Sequence, residues 1–288
     1  VSNYRYRTIS FLSDYGLVDE FVGVCHGVML RIAPEVTVID VCHGIRPQNI
    51  GEGANVLAQA VPYLPVGVHL AIVDPGVGAG RLPVAVEAAD GSWLVGPDNG
   101  LLVPAAARLG GATSARKLEN PELRAPNPSR TFQGRDIFAP AAAHLARGVA
   151  PEELGAEVGV ESLVSLRVDV PRLHDGHFHA SVTHVDRFGN LSINVDAVAA
   201  AEAGMTAGTL LAVGIEGHRL TIPFGETFSS VAPAEPVVTE DSHGQLAVCV
   251  NLGSAADHFG ASLGSKVLIG PCDSSGGFSG EREPGSPA

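Results

Sequence analysis

Apolar and polar positions follow two different rhythms along this chain, and the rhythm changes near residue 160. Before it, short apolar runs alternate with stretches of helical spacing. The run TISFLS (8–13) stops at Asp14 and Gly16, and Phe21, Val24, Val28 and Ile32 then recur at three and four residues as far as Pro34. That spacing predicts a buried strand followed by an amphipathic helix. VTVIDV (36–41) and VHLAIV (68–73) predict two more strands, with a helix carrying Ile50, Ala54, Leu57 and Val61 between them. PVAVEAADGSWLVG (83–96) predicts a hairpin turning at Asp-Gly. LLVPAAARLG and DIFAPAAAHLARG predict helices, each interrupted or kinked by a proline. Strands alternating with helices imply an α/β domain with a mainly parallel sheet covered on both faces.

After the change, strands dominate. HFHASVTHVD alternates, NLSINV follows a Phe-Gly-Asn turn, TLLAVGIEGHRLTIPF reads as a hairpin, and QLAVCVNLG and KVLIG add further short strands. This pattern predicts a smaller all-β, barrel-like domain. The expected organisation is an α/β domain over residues 1–167, a linker over 168–176, a β-barrel-like domain over 177–270, and a disordered Gly/Ser/Pro/Glu tail over 271–288.

Composition narrows the function. With 288 residues, 45% hydrophobic and 17% charged, the chain can build a sizeable core. Eighteen Lys+Arg against 31 Asp+Glu give a formal charge of −13, and no basic cluster offsets it, so a phosphate backbone is repelled and nucleic acid is not an expected partner. No stretch approaches the ~20 apolar residues of a membrane span. The four cysteines (Cys25, Cys42, Cys249, Cys272) show no metal spacing and fit a reducing compartment as buried small residues. The expected location is cytoplasmic.

Ligands of an open parallel sheet gather beyond the carboxyl ends of its strands. Asp14 and Asp74 both stand at such ends. After Asp74, the sequence PGVGAGR does not have dinucleotide-loop spacing and leads into a strand. Its glycines instead suit a tight loop that returns Arg81 to Asp74. His174, His177, His179 and His184 crowd one segment, and period two puts His177 and His179 on one strand face; without a nearby carboxylate cluster they are expected to face solvent. DRFGNL (186–191) offers a carboxylate, an aromatic face and an amide, suited to a purine and a polar tail, although Gly-Asn is also ordinary turn chemistry.

Taken as an ordered set, FLSDYG (11–16), VIDVCHGI (38–45), VDPGVG (73–78), GPDNGLL (96–102), TFQGRDIFAPAAAHLA (131–146) and DRFGN (186–190) resemble the S-adenosyl-L-methionine hydroxide adenosyltransferases, relatives of the fluorinase and chlorinase. The resemblance implies a homotrimer with sites between subunits, no metal or redox cofactor, and hydrolysis of S-adenosyl-L-methionine (SAM) to adenosine and L-methionine. By motif match, Asp14 would grip the ribose diol, Asn190 would read the adenine edge, Phe188 and Phe228 would be aromatic walls, and Asp19 and Asp186 would lie near the methionine ammonium group. Asp74 and Arg81 match two members of an Asp-Arg-His constellation that holds the attacking water. At the third position this chain has Gln133, which can hydrogen-bond water but cannot take a proton.

Two alternatives stand beside hydrolysis. A halogenase of the same family is disfavoured because a carboxylate at Asp74 would repel a halide; in the fluorinase an uncharged hydroxyl-bearing aromatic matches that position and a threonine matches Val77. The other is a non-catalytic or impaired SAM or adenosine binder, suggested by Gln133.

Overall fold

The computed structural model describes residues 5–166 and 169–272. The chain divides into two compact units, with the break between residues 167 and 168. Of the expected linker and tail, residue 168 and residues 273–288 lie outside the described residues.

The first unit is built on a six-stranded mixed sheet. In chain order its elements are β1 (Thr8–Ser13), α1 (Phe21–Ile32), β2 (Thr37–Cys42), α2 (Ile50–Ala60), β3 (Val68–Ile72), β4 (Pro83–Ala88), β5 (Trp93–Pro97), α3 (Val103–Arg108), β6 (Ala112–Lys117) and α4 (Ala139–Arg147). The sheet order is β2-β1-β3-β5-β4-β6. β1 runs parallel to β2 and β3, β3 runs parallel to β5, and β4 is antiparallel to both its neighbours. Side chains alternate between faces with the period of two a strand imposes. Leu70 and Ile72 of β3 join the core with Met29 of α1 and Leu145 of α4, while Ala71 and Val73 join Leu57 of α2 and Ala105 of α3. Covering both faces buries β3 completely, which is why its sequence is a continuous apolar run.

The two prolines expected to interrupt helices instead start them. Pro104 and Pro140 occupy the first turns of α3 and α4, where a missing N–H costs nothing. The residues before α4, Gly134–Phe138, form a π-helical turn, a geometry that recurs at functional sites.

The second unit is antiparallel. It comprises β7 (Arg172–His174), β8 (His177–Val185), β9 (Leu191–Asp196), α5 (Ala197–Glu202), β10 (Leu210–Ile215), β11 (His218–Pro223), β12 (Pro236–Glu240), β13 (Gln245–Val250), α6 (Ala255–Phe259) and β14 (Lys266–Pro271). Strand order is β11-β10-β14-β8-β9-β13-β12, with β7 added to β8. A bridge between Phe224 and Val238, and the Gly225 N–H donating to the Val238 carbonyl at 2.8 Å, bring the two ends of that order together into a nearly closed barrel. Val182, Ile193, Val213, Val248 and Ile269 fill its core. The β10–β11 turn places Glu216 and Gly217 both at positive φ (48° and 81°), as a type I′ hairpin requires.

Two expectations change here. Arg172–His174, read as linker, is paired strand. His177 is buried rather than solvent-facing, because its ring packs where a side chain on Gly270 would stand. His179 is exposed. The four cysteines are free thiols; Cys25 and Cys249 are buried, Cys42 and Cys272 half-buried. Among the described residues, no helix is long and apolar enough to cross a membrane.

Candidate active site

Asp74 follows the carboxyl end of β3 and opens a loop of two consecutive turns. The Val77 N–H donates to the Asp74 carbonyl at 3.2 Å, and the Ala79 N–H donates to the Gly76 carbonyl at 3.0 Å. Pro75 supplies the fixed φ that the second position of the first turn wants. Of the loop glycines, Gly78 is the one the fold demands. It has φ +75°, and a Cβ there would lie 2.6 Å from the Arg130 carbonyl oxygen.

The loop returns Arg81 to Asp74. The guanidinium Nε donates to both carboxylate oxygens at 3.0 Å, and Nη2 donates to Oδ2 as well. Both side chains are nearly enclosed, 10% and 6% exposed. The guanidinium face lies over Phe138, its carbon 5.1 Å from the ring centroid. Nη2 also donates to Gln133 Oε1 at 2.6 Å. Arginine is donor-only, so the Gln133 carbonyl oxygen must face it and the amide N–H₂ points elsewhere. Asp74, Arg81 and Gln133, spread over 60 positions of sequence, are thus one hydrogen-bonded chain of side chains.

Two neighbours escaped the sequence reading. Asn99, in the GPDNG turn, donates its side-chain amide to the Val73 carbonyl at 2.9 Å and accepts from the Leu101 N–H. It holds the strand end from which Asp74 projects. Tyr15 packs edge-on against Phe132 (5.8 Å) and tilted against Phe21 (5.7 Å), and its hydroxyl stands where a Cβ on Gly134 would be. Burial holds the Tyr15 phenol well above its ordinary pKa, with Cys25, Asp14 and Asp74 adding to the rise and Arg81 opposing it.

Asp14, at the carboxyl end of β1, accepts the Gln48 N–H on Oδ2 at 2.8 Å. Gln48 has φ 67°, a strained conformation of the kind that gathers at binding sites. One carboxylate oxygen of Asp14 remains for a ligand. Asp19 is exposed in the β1–α1 loop beside Leu17 and Val18, which are also exposed.

In the second unit, Asp186 organises its own turn. Its Oδ1 accepts the N–H groups of Phe188 (2.8 Å) and Asn190 (2.9 Å), and its Oδ2 accepts the Asn190 side-chain amide at 2.8 Å. The carboxylate expected beside an ammonium group therefore spends most of its acceptor capacity locally. The same bonds leave the Asn190 side-chain oxygen Oδ1 and one side-chain amide hydrogen for a partner. Phe188 and Phe228 are both exposed aromatic faces.

Comparison with known proteins covers both units. Residues 9–155 match the SAM hydroxide adenosyltransferase N-terminal domain, and residues 180–268 match the C-terminal domain. A curated relative from Salinispora tropica, named (R)-S-adenosyl-L-methionine hydrolase, is 47% identical over 91% of this chain and 97% of its own. A fluorinase from Nocardia brasiliensis is 28% identical over 93% of this chain and 98% of its own. A crystal structure of an uncharacterized conserved protein from Thermotoga maritima superposes with a TM-score of 0.86 at 34% identity, covering 91% of this chain and 99% of that one.

Proposed function

This chain belongs to the SAM hydroxide adenosyltransferase family, and from that premise we propose that it hydrolyses SAM, water attacking C5′ to give adenosine and L-methionine. The observation that carries the reading is the enclosed Asp74–Arg81–Gln133 chain. Sulfur leaves as a neutral thioether, so the leaving group needs no acid and no cofactor has to accept electrons. The demand falls on the nucleophile. A new O–C5′ bond forms as the C5′–S bond breaks, the bonding pair goes to sulfur, and one water proton is released. Water held against Asp74 donates toward its carboxylate, while Arg81 stabilises the negative charge developing on oxygen.

In this reading Asp14 accepts the ribose hydroxyls, Asn190 meets the adenine edge, and Phe188 and Phe228 supply apolar walls. Asp19 and Asp186 attract the methionine ammonium group, Asp186 through its charge. The substrate includes the (R) epimer at sulfur, for which the Salinispora tropica relative is named. The proposed assembly is a homotrimer with sites between subunits, checked by light scattering. A halide nucleophile is disfavoured, since Asp74 presents a carboxylate where a halide would have to sit.

Turnover in oxygen-18 water with each SAM epimer tests the proposal. Label is expected in the adenosine 5′-hydroxyl, together with one methionine per adenosine. Formation of 5′-chloro-5′-deoxyadenosine in chloride, or tight binding with no methionine formed, overturns it.

A further inference from the structure

Away from the Asp74–Arg81–Gln133 chain, two imidazoles and a carboxylate converge where α1 meets β2. His26 projects from α1, Asp40 from β2, and His43 follows the end of that strand. The Nε2 atoms of both histidines approach one atom, Asp40 Oδ1, at 2.7 Å (His26) and 3.0 Å (His43). One ligand atom from each residue lies within 4.8 Å of the others. We propose that His26, Asp40 and His43 bind one first-row divalent cation of the zinc class.

The geometry needs little adjustment. Bonds of about 2.1 Å to imidazole and carboxylate put neighbouring ligand atoms roughly 3.0–3.4 Å apart. Each imidazole–carboxylate contact therefore has to open by at most several tenths of an ångström, and the two Nε2 atoms, within 4.8 Å of each other, have to settle at the same separation. The ring of His43 is already oriented. It is 3% exposed at the side chain, and its Nδ1 is 2.8 Å from Ser13 Oγ. A partner on the second ring nitrogen is how metal-binding histidines are held. Access comes from the other side, where Asp40 and His26 are 47% and 27% exposed. Two imidazoles and one carboxylate leave coordination positions for water. This donor set favours zinc, cobalt and nickel over magnesium and calcium, which prefer all-oxygen surroundings.

The cation would be structural. It would pin α1 to β2 and, through His43 and Ser13, stiffen the end of β1 from which Asp14 projects. The competing account is a hydrogen-bonded network in which both imidazole N–H groups donate to Asp40; it explains the short distances but predicts no cation uptake.

The two accounts separate in a titration of tag-free, chelator-stripped protein with Co²⁺, read by its visible absorbance, followed by Zn²⁺ displacement. One equivalent per chain is expected, unaffected by excess Mg²⁺ and accompanied by a rise in melting temperature. His26→Ala and the shape-preserving His26→Gln should each weaken affinity at least about tenfold, and Ser13→Ala should weaken it by ~10- to 100-fold through loss of orientation. His179→Ala, in the second unit, should leave it unchanged. Absence of saturable uptake, or uptake that survives both His26 variants with circular dichroism unchanged, overturns the proposal.

Discussion

The side-chain amide of Asn99 donates to the carbonyl of Val73, the residue immediately before Asp74. A turn between β5 and α3 therefore fixes the direction in which the carboxylate leaves β3. Asn99→Ala removes that side-chain donor from the Val73 carbonyl and is expected to cost about 1–3 kcal/mol in urea unfolding. It should lower kcat more than it raises KM. Asn99→Asp sets an acceptor against an acceptor and should be worse than alanine. An aspartate variant as stable and active as the parent would mean that the amide only fills space.

The second prediction couples Tyr15 to Gly134. A methyl group on Gly134 would meet the Tyr15 hydroxyl, and π-helical backbone leaves the glycine little room to retreat. Gly134→Ala should destabilise by about 1–3 kcal/mol as an overpacking change. Tyr15→Phe in the same chain removes the oxygen in the way and should restore much of that loss. The double-mutant cycle is expected to show a coupling above ~0.5 kcal/mol. Strict additivity would contradict the contact.

Much of the scaffold around these residues is legible in the sequence, and the reason differs by element. β1, α1, β3 and the β4–β5 hairpin follow from periodicity and turn residues, because both faces or one stripe of each is buried. β6 does not, since ATSARK has one fully buried side chain, Ala115, and owes its strand state to pairing with β4 at the sheet edge. α5 is hidden for another reason. Six residues carry too few turns for a period to show, and the Asp196 cap that starts it also reads as the end of β9. Within the site, Asp74 and Arg81 are legible from one glycine loop. Gln133 lies 52 positions from Arg81 and needs the family motif to be found. Asn99 and Tyr15 act through a backbone carbonyl and an aromatic cluster, which no motif spacing marks.

A third prediction concerns acid stability. His69 of β3 is buried against Ser10, Nδ1 to Oγ 2.8 Å, and burial pushes its pKa from 6.5 down to about 4, with Asp90 opposing. Between these values the unfolded chain binds the proton and the folded chain does not, so stability rises with pH across the window. The contribution is complete above about 6.5 and is lost as pH falls toward 4, to a total on the order of 3 kcal/mol. His69→Gln should flatten the melting-temperature profile between those pH values relative to the parent. An unchanged slope would show that other groups dominate the acid limb.

Gln133 gives the last prediction. Its carbonyl oxygen is committed to Arg81, so its amide can only donate toward a water and cannot relieve that water of a proton. A histidine there could turn one ring nitrogen to the water while Arg81 keeps Asp74 through Nε and Nη2. Gln133→His is expected to raise single-turnover adenosine release by up to roughly 10²-fold, the lower end of general-base gains. The gain should carry a pH limb absent from the parent, with the rate climbing as the new imidazole loses its proton. A histidine that instead stays against Arg81 would accept on one nitrogen and donate from the other, reproducing the glutamine. An unchanged rate with a flat profile would therefore assign position 133 to holding Arg81 alone.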